Sequence, residues 1–157
     1  MSLPEVGKRA PSFSLPGIPE TTYRLADYRG SSVVLYFYPK DLTPGCTTEA
    51  CDFRDNWKRL EQRGAVVLGI SADPVSKHAK FRDKFELPFP LLADEDHAVC
   101  EKYGVWGAKQ LYGRTFLGIR RTTFLIDPQG KIAAVWENVR VKGHVEAVLE
   151  KLEETSG

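Results

Sequence analysis

The chain of 157 residues is 42% hydrophobic and 27% charged, with a formal net charge of +1 at pH 7, the balance of an ordinary folded domain. That charge exerts no pull toward nucleic acid or an anionic membrane, so neither is expected as a partner. Three cysteines, an odd number, argue against a secreted disulfide framework and for reactive thiols in a reducing compartment.

Met1–Glu5 offers neither the basic nor the apolar part of a leader, and no apolar run approaches the roughly 18 residues of a membrane span. A cytoplasmic protein with a single domain over 1–157 is expected. Residues 1–31, punctuated by Pro4, Pro11, Pro16 and Pro19, read as an extended arm with a short strand near Ser12–Leu15 and a hairpin around Thr22–Leu25. Val33–Tyr38 is a continuous apolar run, which predicts a strand over 32–38 buried on both faces. It stops at Pro39, which has no N–H for a ladder, and Pro44-Gly45 marks a turn. From Cys46 the pattern becomes helical: Ala50, Phe53, Trp57 and Leu60 fall within about 40° of Cys46 on a helical wheel. Gly64 reads as the C-cap that ends this helix of 46–63.

Ala65–Ser71 is a second buried strand. Asp73-Pro74 reads as the N-cap and first residue of a helix over 75–85, with Val75, Ala79 and Phe85 inward. Leu87-Pro88-Phe89-Pro90 breaks it, Leu91-Leu92 forms a brief strand, and Asp94–Asp96 opens a short helix to Tyr103. Residues 104–118 read as a Gly-rich loop whose Trp106, Tyr112 and Phe116 cover the site. Thr122–Asp127 and Lys131–Trp136, joined by the turn Pro128–Gly130, predict an antiparallel hairpin. A last helix over 143–153 buries Val145, Val148, Leu149 and Leu152. The class is α/β, a central mixed sheet with flanking helices.

Cys46 thus occupies the first turn of a helix just past a central strand. Partial positive charge and unpaired N–H groups there favour a thiolate, and open α/β sheets place their sites at the carboxyl ends of strands. The competing reading is a buried structural cysteine. Cys51 falls about 140° around the wheel from Cys46, on the polar face with Arg54, Asp55, Lys58 and Gln62, an unusual place for a thiol. Five residues along an intact helix separate Cα atoms by roughly 8–9 Å. A disulfide requires about 7 Å or less. If Cys46 and Cys51 pair at all, the first helical turn or more must unwind.

Arg121 stands before a strand rich in Thr and apolar residues, an odd place for an unpaired guanidinium, with Arg120 beside it as an alternative. Thr43 can cap the helix or reach the thiol. Glu49 can bond back to the helix entrance or orient Arg121. Cys100 reads as a packing residue. His97 and Cys100 are one turn apart without further Cys or His to complete a metal site. His78 and His144 read as solvated, and Trp57 as core.

Pro39-x-x-x-Thr43-x-x-Cys46 resembles the P-x-x-x-[TS]-x-x-C signature of peroxiredoxins, and the cysteine five residues on resembles the bacterioferritin comigratory protein, or peroxiredoxin Q, subfamily. The likeness extends through Gly7-x-x-Ala10-Pro11-x-Phe13, Leu25-x-x-Tyr28-x-Gly30, Tyr103-Gly104-Val105-Trp106 and Gly118–Asp127. It implies a thioredoxin-like fold with an N-terminal extension and an insertion at 88–118, before the C-terminal hairpin. It also implies a thiol peroxidase acting on hydrogen peroxide and organic hydroperoxides, with no metal, flavin or haem. In that scheme Cys46 becomes a sulfenic acid, Cys51 resolves it as a disulfide, and thioredoxin or a similar dithiol reduces the product. Arg121 and Thr43 would hold the thiolate and the peroxide, Pro39 would shield the sulfur, and a monomer is expected. A thioredoxin-like disulfide reductase is a weaker alternative, since CxxC is missing. A redox-regulated holdase exposing Phe53 and Trp57 is another.

Overall fold

The computed structural model describes residues 3–156, so the first two residues of the N-terminal arm lie outside it. Along the chain run β1 (Ser14–Ile18), β2 (Thr21–Arg24), a 3-10 turn (Leu25–Tyr28), β3 (Ser32–Phe37), α1 (Pro44–Asp55), α2 (Trp57–Gln62) and β4 (Ala65–Ser71). Then come α3 (Val75–Phe85), β5 (Leu91–Ala93), α4 (Ala98–Lys102), β6 (Trp106–Leu111), β7 (Arg114–Ile119), β8 (Thr122–Ile126), β9 (Ile132–Trp136) and α5 (His144–Ser156).

The apolar run at 33–38 is the centre of a seven-stranded sheet ordered β2-β1-β5-β4-β3-β8-β9. β3, β4 and β5 are parallel, while β1, β2, β8 and β9 pair antiparallel, which makes the sheet mixed. Side chains alternate along β3 because a strand turns successive residues to opposite faces. Val33, Leu35 and Phe37 enter one core with Phe13, Leu68, Cys100 and Tyr103. Val34, Tyr36 and Tyr38 enter the other, with Cys46, Ala50 and Phe53 of α1 and Val148 and Leu152 of α5. Both faces of β3 are buried, so it has no polar face to show in its sequence.

Four expectations need correction. The helix over 46–63 begins at Pro44 and divides at Asn56, whose side-chain amide donates to Asp52 O at 2.9 Å and ends the backbone run there. Asp73 does not cap α3; its carboxylate turns instead to the Asp41 N–H and the Ser71 hydroxyl. The residues α3 buries are His78 and Phe81, with Val75, Ala79 and Phe85 only half-buried. The supposed loop at 104–118 is a hairpin, β6 against β7, outside the main sheet. Its turn is Tyr112-Gly113, both at positive φ, the conformation a tight hairpin needs and glycine adopts freely.

His78 and His144 are also buried, at 0% and 5% exposure, and are not solvated. Neighbouring charges mislead here: an inward histidine is tolerated when its ring finds hydrogen-bond partners, through both nitrogens in His78 and through Nε2 in His144.

Candidate active site

Register explains how the site assembles. Phe37 at the end of β3 pairs with Thr122 at the start of β8. Arg121 therefore lies one residue beyond the edge of the ladder, where the chain leaves β3 for α1. Its backbone carbonyl accepts from Val139 N at 2.9 Å, which fixes the direction of departure. Arg121 Nη2 donates to Cys46 Sγ at 3.3 Å, and Nη1 donates to Glu49 Oε1 at 2.7 Å. Arg120 points elsewhere and donates to Gly104 O at 2.9 Å, so of the two arginines it is Arg121 that contacts Cys46. Gly45 makes room for the guanidinium, since a Cβ there would stand 3.2 Å from Arg121 Nη2.

Cys46 is the third residue of α1 and only 1% exposed, in phase with the apolar stripe of Ala50 and Phe53. Thr43 is the N-cap, yet its hydroxyl donates to Lys40 O at 2.8 Å, and no side chain caps the helix. Pro44 has no N–H and Thr47 N donates to Thr43 O, so Gly45 and Cys46 carry the first-turn N–H groups that have no intrahelical acceptor.

Glu49 chooses the second of its two expected roles, holding Arg121. It is 1% exposed, and burial raises its pKa to about 7 against the opposing pull of Arg121. Its Oε2 and the hydroxyl of Tyr36 have no hydrogen-bond partner among the described residues. Burial pushes the Tyr36 phenol well up, with the charges of Glu49 and Cys46 adding to the effect. Nearby, His144 Nε2 meets Thr123 Oγ1 at 2.8 Å. Burial, then Arg121, lowers this histidine to about 4.

Pro39 is half-buried and lines a cleft with Trp106, Lys109 and Phe116 from the hairpin. Of the aromatics expected to cover the site, Trp106 and Phe116 reach this cleft, whereas Tyr112 is 95% exposed at the turn. Lys109 was not singled out by the sequence. Its ammonium donates to Ile119 O at 2.9 Å, and burial, then Arg121, lowers its pKa.

Cys51 lies on the same continuous helix as Cys46, half-buried, with burial raising its thiol pKa. All three thiols are free. Cys100 packs with no exposure in the other core, and burial, then Asp94, pushes its thiol far up. No helix among the described residues is long and apolar enough to cross a membrane.

Residues 6–135 match the model of the AhpC/TSA family. A putative peroxiredoxin bcp of Coxiella burnetii is 54% identical over 148 residues, covering 94% of this chain and 98% of that protein. Peroxiredoxin Bcp of Bacillus subtilis is 47% identical over 152 residues, 97% of each chain. Among solved structures, a cysteine-to-serine mutant of Xylella fastidiosa PrxQ superposes with a TM-score of 0.93 at 38% identity, over the whole of both chains. The bacterioferritin comigratory protein of Xanthomonas campestris, studied for its alkyl peroxide reduction, superposes with a TM-score of 0.91 at 38% identity, covering 98% of this chain and all of that one.

Proposed function

The chain belongs to the AhpC/TSA family and, within it, to the Bcp and peroxiredoxin Q peroxiredoxins, oxidoreductases of the peroxidase class, and we propose that it reduces hydrogen peroxide and organic hydroperoxides through Cys46. The observation that carries this reading is the Arg121 N–H on the Cys46 sulfur at 3.3 Å, in a buried site at a helix start. A cation and uncapped N–H groups stabilise negative charge on sulfur and on an oxygen beside it.

The Cys46 thiolate attacks the terminal peroxide oxygen. An S–O bond forms, the O–O bond breaks, and the departing oxygen takes a proton to leave as water or alcohol, with sulfenic acid left on Cys46. Thr43 and Arg121 orient the peroxide and Pro39 limits water at the sulfur. Cys51 then attacks the sulfenic sulfur: an S–S bond forms, the S–O bond breaks, and hydroxide leaves with the Cys51 proton as water. On continuous α1 the two Cα atoms stand roughly 8–9 Å apart, beyond the reach of a disulfide, so the first turn of α1 unwinds for this step. A thioredoxin-type dithiol returns the disulfide to two thiols and is itself oxidised. The enzyme acts as a monomer in the reducing cytoplasm.

The test is peroxide consumption with and without thioredoxin and its reductase. Wild type should turn over only when the dithiol is present. Cys51→Ser should consume about one equivalent and retain a trappable sulfenic acid. Sustained turnover by Cys51→Ser at the wild-type rate would remove Cys51 from the cycle.

A further inference from the structure

The β6–β7 hairpin carries a cation that the proposed cycle does not use. Lys109 lies on β6, pairs across the hairpin with Phe116 and is half-buried. It lines the same cleft as Pro39. Its stem passes close to Gly118, where a Cβ would stand 3.3 Å from Lys109 Cδ. Its ammonium donates to Ile119 O at 2.9 Å, the carbonyl two residues before Arg121. Arg121 in turn reaches Cys46 Sγ at 3.3 Å. The chain between these points is fixed from both sides, Arg120 N–H donating to Val105 O at 2.8 Å and Val139 N–H to Arg121 O at 2.9 Å.

The hydrogen bond does not account for the charge. A neutral N–H donor would serve Ile119 O equally well, and drawing an ammonium partly out of water costs free energy unless an anion compensates. Among the described residues no carboxylate forms an ion pair with Lys109. Asp73, which shares its cleft, is committed elsewhere. Its Oδ1 pairs with Lys77 at 3.3 Å, and its Oδ2 accepts from the Asp41 N–H and the Ser71 hydroxyl. The charges that bear on the ammonium are the Arg121 guanidinium, of like sign, and the Cys46 sulfur, of opposite sign once ionised. Two cations are tolerated side by side when an anion lies between their fields, and here that anion is the thiolate. The charge count agrees. With Glu49 and Cys46 both ionised, the guanidinium faces two anions, one at each terminal nitrogen. Lys109 supplies the second positive charge.

We infer that Lys109 is a second cation of the peroxide site. Its field stabilises the Cys46 thiolate, and also the negative charge that passes to the departing oxygen as the S–O bond forms and the O–O bond breaks. It acts by its own charge and not by aiming Arg121.

This inference rests on the reading that Cys46 meets peroxide, and its test separates the two. Lys109→Arg keeps the charge, Lys109→Gln keeps an N–H donor without it, and Lys109→Met keeps the stem alone. Lys109→Gln and Lys109→Met should each slow Cys46 oxidation by about tenfold, a modest factor because water and salt reach the half-buried ammonium. Lys109→Arg should stay within about threefold of wild type. Thiolate absorbance, taken as the difference from the same variant carrying Cys46→Ser, should move to higher pH by about one unit in Lys109→Gln and Lys109→Met. In an Arg121→Ala background Lys109→Met should still cost about tenfold, because the two charges act separately.

A Lys109→Gln variant at the wild-type rate would overturn the inference, and so would a Lys109→Arg variant as slow as Lys109→Gln. A Lys109→Met substitution without effect once Arg121 is gone would also overturn it, reducing the ammonium to a clamp on Ile119 O. Should Lys109→Met fail to fold, Lys109→Gln and Lys109→Arg decide the matter. If wild-type Cys46 does not react with peroxide, the peroxidase reading falls, while thiolate absorbance, measured without peroxide, still judges Lys109.

Discussion

Cys46 and Cys100 occupy the same local position, the third residue of a helix, and both are almost completely buried. Their surroundings have opposite sign. At α1 no side chain caps the helix and the Arg121 guanidinium reaches the sulfur. At α4 the Asp94 carboxylate occupies the N–H groups of Val99 and Cys100 at 3.2 and 2.8 Å and sets an anion beside the thiol. Burial by itself makes a cysteine inert; what it faces inside decides whether it reacts.

The contrast is sharpest in the thiols themselves. Cys46→Ser should abolish peroxide reduction, because a serine hydroxyl is not ionised near neutral pH, whereas Cys100→Ser should retain most of it. Turnover above a few per cent of wild type in Cys46→Ser, measured as peroxide consumption, would move the chemistry elsewhere.

Removing the cation comes next. Arg121→Ala should slow oxidation of Cys46 by roughly 10²–10³-fold, the loss expected for one preorganised stabiliser. Arg120→Ala, which loses a bond to a backbone carbonyl, should change the rate far less. Stopped-flow fluorescence on both variants would expose a wrong assignment if their order were reversed.

The smallest effect concerns the carboxylate behind the guanidinium. In the fold Glu49 keeps its proton to about pH 7, against an ordinary value of 4.5. Its contribution to stability is therefore complete below about pH 4.5 and is lost as pH rises through about 7. His144 works in the other direction: lowered to about 4 from 6.5, it costs stability as pH falls through that range. The two trends oppose one another and leave wild type with a shallow pH profile from this pair. Glu49→Gln removes the first alone, so its stability relative to wild type should grow by up to about 3 kcal/mol from acid to neutral pH. Denaturant midpoints at several pH values measure this, and a difference independent of pH would show that Glu49 ionises freely.

Much of this was legible in the sequence, for reasons that particular elements make clear. The apolar runs at 33–38 and 65–71 could only be doubly buried strands, and the stripe of Cys46, Ala50 and Phe53 could only be a helix on the core. Cys46, Cys51, Thr43, Glu49 and Arg121 were singled out, and the structure brings Cys46, Glu49 and Arg121 together. His78 and His144 were missed because patterning assigns polar residues outward, and their burial depends on partners such as Leu92 O and Thr123, distant in sequence. The β6–β7 hairpin was missed because it pairs only with itself and buries no continuous face, so little alternation marks it. The Tyr112-Gly113 turn was its one local signal.

The central claim, that Cys46 is oxidised and then joined to Cys51 by unwinding α1, is tested most directly by amide exchange after one equivalent of peroxide. The amides of residues 46–52 should lose protection while those of β3 and β4 keep it, peptide mapping should find a 46–51 bridge, and a dithiol should restore the helix. Full protection of 46–52 in the oxidised protein, with a bridge to Cys100 or between the Cys46 residues of two chains, would contradict the account.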